Sequence, residues 1–161
     1  MKKRNKEMLP ESIWEKGKQE KLNEFILSQS SKQSNERILR NELLSIQYKI
    51  EDYIESESPR KKISIHDFVK MYLQVLNSTQ KNLADLFEMQ NSNLHKYLVG
   101  ERKLNQQVLM KLSAFSHTNP EYWLRIEMKN ELLEINKEKN IRSEYKKYDY
   151  RNLSSRTLKA S

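Results

Sequence analysis

Apolar residues recur at steps of three and four along most of the chain, and each such run predicts a helix. Between Glu11 and about Leu27, Ile13, Trp14, Leu22, Phe25, Ile26 and Leu27 give a weakly periodic helix. The polar run SQSSKQS at 28–34 is expected to end it as a linker. Ser34 then offers an N-cap to a second helix, whose apolar stripe is Ile38, Leu39, Leu43, Ile46, Ile50, Tyr53 and Ile54. A stripe on an otherwise charged helix needs a cover, from the chain's own central domain, a second subunit or another protein. In SESPRKK, Pro59 closes this helix, because the residue before a proline avoids helical geometry.

A central segment opens at Ser64, with a helix over 66–76 whose apolar face is Phe68, Val69, Met71, Tyr72, Leu73 and Leu76. Four further helical patterns follow, at about 80–87, 91–98, 106–116 and 120–138. The chain has only two glycines and three prolines, which leaves few turns for a sheet, so the expected fold class is all-α. Three parts are expected: a helical extension over 1–63 with a basic, disordered arm at 1–10, a domain over 64–139, and a basic, disordered tail over 140–161 carrying Tyr145, Tyr148 and Tyr150.

Composition narrows the function classes. With no cysteine, disulfides, thiolate metal sites and cysteine nucleophiles drop out. No secretory leader is legible, and no run approaches the roughly 18–20 apolar residues of a membrane span. A soluble, cytoplasmic protein without a membrane partner is expected. The formal net charge of +8 suits an anionic partner such as nucleic acid. That charge is uneven: 14 basic and 11 acidic residues lie in 1–63, 10 and 9 in 64–139, and 6 and 2 in 140–161. A central domain that bound DNA would rely on a few placed cations, and the flanks would add a salt-sensitive attraction.

The most informative stretch is NSTQKNLADLFEMQNSNLHKYLVGERKLNQ, residues 77–106. Thr79 can cap a helix containing Leu83, Ala84 and Phe87, with the small Ala84 where a second helix passes close. Glu88, Met89 and Gln90 form a turn, with Met89 inward, and Gln90 or Asn91 starts a helix that buries Leu94, Tyr97 and Leu98. Gly100 sits past the last turn, where a left-handed cap is wanted. Burying that side leaves Asn91, Ser92, His95 and Lys96 outward at the N-terminal end, where a base-reading helix enters a major groove. Asn can pair bidentately with adenine, Lys can reach guanine acceptors, and Ser can serve base or phosphate. Gln80, at the start of the preceding helix, is placed for a phosphate, and Arg102 and Lys103 for the next ones.

TQKNLADLFEMQNSNLHKYLVGERKL resembles the helix-turn-helix signature of the Xre/Cro-type family, and PEYWLRIEMKNELLEI at 120–135 is similar to the P-E-x-W-L helix of its HigA-type antitoxin branch. The resemblance covers 64–139, roughly half of the chain. Glu88 stands where the family pattern has glycine, Gln90 where it has serine, and Val99 where it has a polar residue. The resemblance implies a lambda-repressor-like five-helix domain in a homodimeric repressor on a palindromic duplex operator. In antitoxin members it implies a second partner, a RelE/HigB-like ribonuclease toxin. The last helix supports a dimer in its own right, because Tyr122, Trp123, Ile126, Met128, Leu132, Leu133 and Ile135 make it apolar on more than one side. Tyr122, Trp123, Ile126 and Leu133 are the expected interface residues.

Other readings stand beside these. The chain could be a stand-alone regulator without a toxin, or an interaction module that no longer binds DNA. Asn91, Ser92, His95 and Lys96 could be an ordinary solvated face. An enzyme is not expected: Asp67, Asp85 and Glu88 are scattered, no glycine-rich phosphate loop exists, and no serine has a histidine and acid in a recognisable context. His66, His95 and His117 share no ligand spacing, so no metal, cofactor or small-molecule substrate is expected.

Overall fold

A computed structural model describes residues 11–138 and 140–153. Among these the elements are α1 (Glu11–Glu55), α2 (Ile65–Val75), α3 (Gln80–Leu86), α4 (Asn91–Leu98), α5 (Gln106–Ser116), α6 (Pro120–Lys137) and α7 (Ile141–Tyr145), followed by two 3-10 turns at Lys146–Tyr148 and Tyr150–Asn152. No strand occurs among the described residues, so the fold class is all-α. None of these helices is long and apolar enough to cross a membrane. The expected arm at 1–10 and the last part of the expected tail, 154–161, lie outside the described residues.

The chain divides into two units, 1–42 and 43–161, with the boundary inside α1. In the first unit every side chain from Lys16 to Glu42 is exposed, including Leu22, Phe25, Ile26 and Leu27. The linker expected at 28–34 is not there, because α1 runs through it. SQSSKQS holds neither glycine nor proline, and Ser28 turns its hydroxyl back to the Phe25 carbonyl at 2.9 Å. A serine satisfied in this way stays compatible with a helix. Ser34 is accordingly an interior residue and caps nothing.

The second unit begins at Leu43 and not at Ser64, because the end of α1 belongs to its core. Ile46, Ile50, Tyr53 and Ile54 are buried there with Phe68, Val69 and Tyr72 of α2, Leu83 and Ala84 of α3, Leu94 and Leu98 of α4, Val108 and Leu112 of α5, and Trp123 and Ile126 of α6. The C-terminal half of the expected stripe thus has its cover within the chain, while Ile38 and Leu39 remain exposed. Polar contacts fix the fit of α1. Tyr53 donates its hydroxyl to Asn130 Oδ1 at 2.6 Å and accepts from the Ile63 N–H at 3.2 Å, and Asn130 Nδ2 returns a bond to the Ile63 carbonyl at 2.9 Å. Lys129 donates to the carbonyls of Ile54 and Ser56, where the end of α1 leaves unpaired acceptors.

Each helix of the unit has a physical start and stop. At α2, Ser64 and Asp67 form a capping box: Ser64 Oγ accepts from the Asp67 N–H at 3.1 Å, and Asp67 accepts from the Ser64 N–H at 2.9 Å. That backbone bond holds the Asp67 carboxyl below its ordinary range. Asn105 caps α5, and Asn119 followed by Pro120 starts α6. Left-handed residues end α2 at Asn77, α3 at Glu88, α4 at Gly100 and α5 at His117.

At the corner between α5 and α6, Trp123 Nε1 donates to Ser116 Oγ at 3.1 Å and Thr118 Oγ1 at 3.0 Å, and all three residues are buried. The indole is thereby a filled core position with its one donor satisfied. Tyr122, Trp123, Ile126 and Leu133, the residues expected at a subunit interface on this helix, are not equally accessible. Trp123 and Ile126 are fully enclosed by the chain's own core and present no surface to a second subunit. Tyr122 and Leu133 are half-buried, Tyr122 donating to Glu51 Oε1 at 3.1 Å.

The expected disordered tail is also corrected over 140–153, which forms α7 and the two 3-10 turns. Asn140 and Asp149 supply the local bonds that start them: the Asn140 carbonyl accepts from the Ser143 hydroxyl at 2.7 Å, and Asp149 Oδ1 accepts from the Arg151 N–H at 2.9 Å.

Candidate nucleic-acid interface

Two short helices and the turn between them make the site. Thr79 accepts from the Asn82 N–H at 3.2 Å and so opens α3, whose Leu83 and Ala84 are buried. At its far end the Glu88 N–H donates to the Asp85 carbonyl at 3.1 Å and the Met89 N–H to the Ala84 carbonyl at 3.0 Å. This crossed pair is a Schellman stop and requires a left-handed residue, here Glu88 at φ +55°. A glutamate there bears a steric cost that glycine would not. Lys111 donates to the Phe87 carbonyl, placing a cation on the negative end of α3.

Gln90 is extended and starts α4 without a side-chain cap. The backbone N–H groups of Asn93 and Leu94 reach back to the Gln90 carbonyl, both at 3.0 Å, and the first N–H groups of the helix point to its open end. Leu94 and Leu98 are fully buried, whereas Asn91, Ser92, His95 and Lys96 are exposed. A helix with its back locked and its front polar is held at a fixed angle to its neighbours. Gly100 closes it at φ +86°, its N–H directed to the Tyr97 carbonyl at 3.4 Å.

Three helix starts meet around Gln80. Its Nε2 donates to Asn91 Oδ1 at 2.7 Å, and its Oε1 accepts from His66 Nε2 at 3.2 Å. The His66 and His95 rings meet edge to face with centroids 5.4 Å apart. Asn91 Oδ1 is thus engaged within the chain. Gln80, expected as a phosphate contact, is thus bonded to both Asn91 and His66.

Arg102 lies back along α4, donating to Asn93 Oδ1 at 2.7 Å with its guanidinium 6.0 Å from the Tyr97 ring centre. Gln90, Asn91, Ser92, His95, Lys96 and Arg102 thus cluster on or beside α4. Lys103 does not join them: its ammonium lies 3.4 Å from Glu131 of α6. Two residues of this cluster escape a reading by local spacing, His66 and Asn93. His66 is 29 positions from His95, and only packing of α2 against α4 brings them together. Among the described residues, no group of three or more histidine, aspartate or glutamate side chains gathers as metal ligands.

No family model matches the chain, and no curated protein or solved structure matches it either.

Proposed function

We propose that residues 64–139 form a lambda-repressor-like helix-turn-helix domain that binds duplex DNA at a specific sequence and acts as a transcriptional repressor, with α4 as the base-reading helix. The observation that carries this reading is the polarity of α4: Leu94 and Leu98 inside, and Asn91, Ser92, His95 and Lys96 outside at the end that leads into a groove. Asn91 Nδ2 suits the acceptor N7 of adenine, Lys96 the acceptors of guanine, and Arg102 the adjoining phosphates. The Xre/Cro-like and HigA-like sequence patterns support the same reading and extend it to a homodimer on a palindromic operator.

Selection of bound duplexes from a randomised pool tests this. Enrichment of one sequence, lost in a variant with Asn91, Ser92 and Lys96 all changed to alanine, is the expected result. Recovery of the random pool by the unmodified chain would remove the base-reading role. The HigA-like pattern extends the reading further, to neutralising a RelE/HigB-like ribonuclease toxin, and co-purification of the chain with such a ribonuclease tests this separately.

A further inference from the structure

The C-terminal segment of the second unit offers surface that the duplex reading does not use. Tyr145, Tyr148 and Tyr150 are 62%, 70% and 75% exposed, although Tyr53 and Tyr72 of the same unit are buried. Cations accompany these rings: Lys147 Nζ lies 5.1 Å from the Tyr148 ring centre, and Arg151 lies 5.9 Å from that of Tyr150. Tyr145 and Tyr148 are neighbours, with centroids 5.8 Å apart and planes inclined at 43°.

Beside these two rings, α6 and the segment 141–149 enclose a groove of about 670 Å³. Leu132, Ile135 and Ile141 give it an apolar lining. Tyr145, Tyr148, Arg142 and Lys146 line it as well. Asp149 also lines it, and its carboxylate lies 3.7 Å from Arg151. Arg142 donates to Asn136 Oδ1 at 3.3 Å, which keeps the guanidinium over the groove's side.

We infer that this groove binds single-stranded nucleic acid, seating an unpaired base against Tyr145 and Tyr148 and the adjoining phosphates on Arg142 and Lys146. The pairing of ring and charge carries the inference. A base needs a flat apolar face and its phosphate a cation within a few ångströms, and this surface alternates the two. Arg142, Lys146, Lys147 and Arg151 outnumber Glu144 and Asp149 over the segment, so its charge complements a phosphodiester chain. A duplex keeps its bases stacked and offers no free face to the rings. A membrane-binding face would instead gather large aliphatic and aromatic tips away from the cations, whereas here cations lie against the rings.

The test is fluorescence anisotropy of the full chain with labelled oligothymidine and oligouridine of about a dozen nucleotides, within the usual range of single-strand site sizes. Both carry the same base-and-phosphate chemistry, and the tighter of the two identifies DNA or RNA as the source. Tyr148→Ala is expected to weaken binding about fivefold to a hundredfold, while Tyr148→Phe, which keeps the stacking face, retains it. Changing Arg142 and Lys146 together to alanine should lower the log–log salt slope by about 1.4. Lys32→Ala, on α1, should leave this binding unchanged. Circular dichroism checks that the variants remain folded. Unaltered binding by folded Tyr148→Ala, full competition by an unlabelled duplex, or capture by phosphatidylserine vesicles with no oligonucleotide binding would each overturn the inference.

Discussion

Gln80 holds Asn91 through a 2.7 Å hydrogen bond from its Nε2 to the asparagine Oδ1, joining the first residue of α3 to the first residue of α4. His66 fixes the other end of the same amide. Two α-helices thereby determine how a third presents its leading side chain. Such support from a neighbouring side chain keeps an exposed group in one rotamer.

Gln80→Ala should therefore cost about 1 kcal/mol on a preferred duplex, the worth of one orienting hydrogen bond, and leave random duplex unaffected. Titration of both duplexes checks this. Equal losses on the two would instead indicate a phosphate-contacting role for Gln80.

Glu88 sits in the left-handed region with φ +55° at the stop of α3. Replacing it by glycine removes the steric cost and gives back some unfolded-chain entropy, so a net stabilisation of about 0.5–1 kcal/mol is expected. Glu88→Val should destabilise by more than the glycine gains, since a β-branched side chain is least tolerant of positive φ. Urea unfolding of the pair measures both signs.

Tyr72 is enclosed by the core, beside Phe115 and Trp123, and its hydroxyl has no hydrogen-bond partner among the described residues. Burial pushes its pKa from 10.0 up to about 12. Removing the hydroxyl in Tyr72→Phe should be neutral or stabilising by up to about 1 kcal/mol, because nothing is left unpaired. The pH dependence follows in sign. Between pH 10 and 12 the unfolded chain loses this proton while the folded one keeps it, so stability falls as pH rises. In Tyr72→Phe that fall should be shallower, as measured by chemical unfolding across the same window.

Trp123→Phe removes the donor that Ser116 and Thr118 share. A loss of about 1–3 kcal/mol is expected from the vacated indole volume and the altered hydroxyl pair. Sedimentation at several concentrations should show the same association state as the unmodified chain, since this residue is core. A variant that dissociates while remaining folded would place Trp123 at a subunit contact after all.

Helices α2 to α6 were legible because their apolar positions are patterned and several of their ends carry a recognisable cap. Thr79, Gly100 and the Asn119–Pro120 pair mark boundaries that periodicity alone would blur. The outward residues of α4 follow from the inward ones, since Leu94 and Leu98 fix the helix face. Long-range partnerships were not legible. Nothing near Tyr53 indicates that it will meet Asn130, and nothing near His66 points to His95. The continuity of α1 was misread because serine-rich polarity resembles a linker, although it lacks the glycine or proline needed to stop a helix. The burial of Trp123 was not legible for a related reason: a helix apolar on several sides does not reveal which side the chain covers itself.

The central claim rests on the exposed edge of α4, and the most direct measurement is the affinity of Lys96→Ala for a selected duplex and for a scrambled one. Base reading by Lys96 predicts a loss of about 1–3 kcal/mol confined to the selected duplex, with relaxed preference at one base pair, while Arg102→Ala weakens both duplexes alike. An equal loss on the two duplexes, or no loss on either, would contradict the assignment of α4 as the helix that reads DNA.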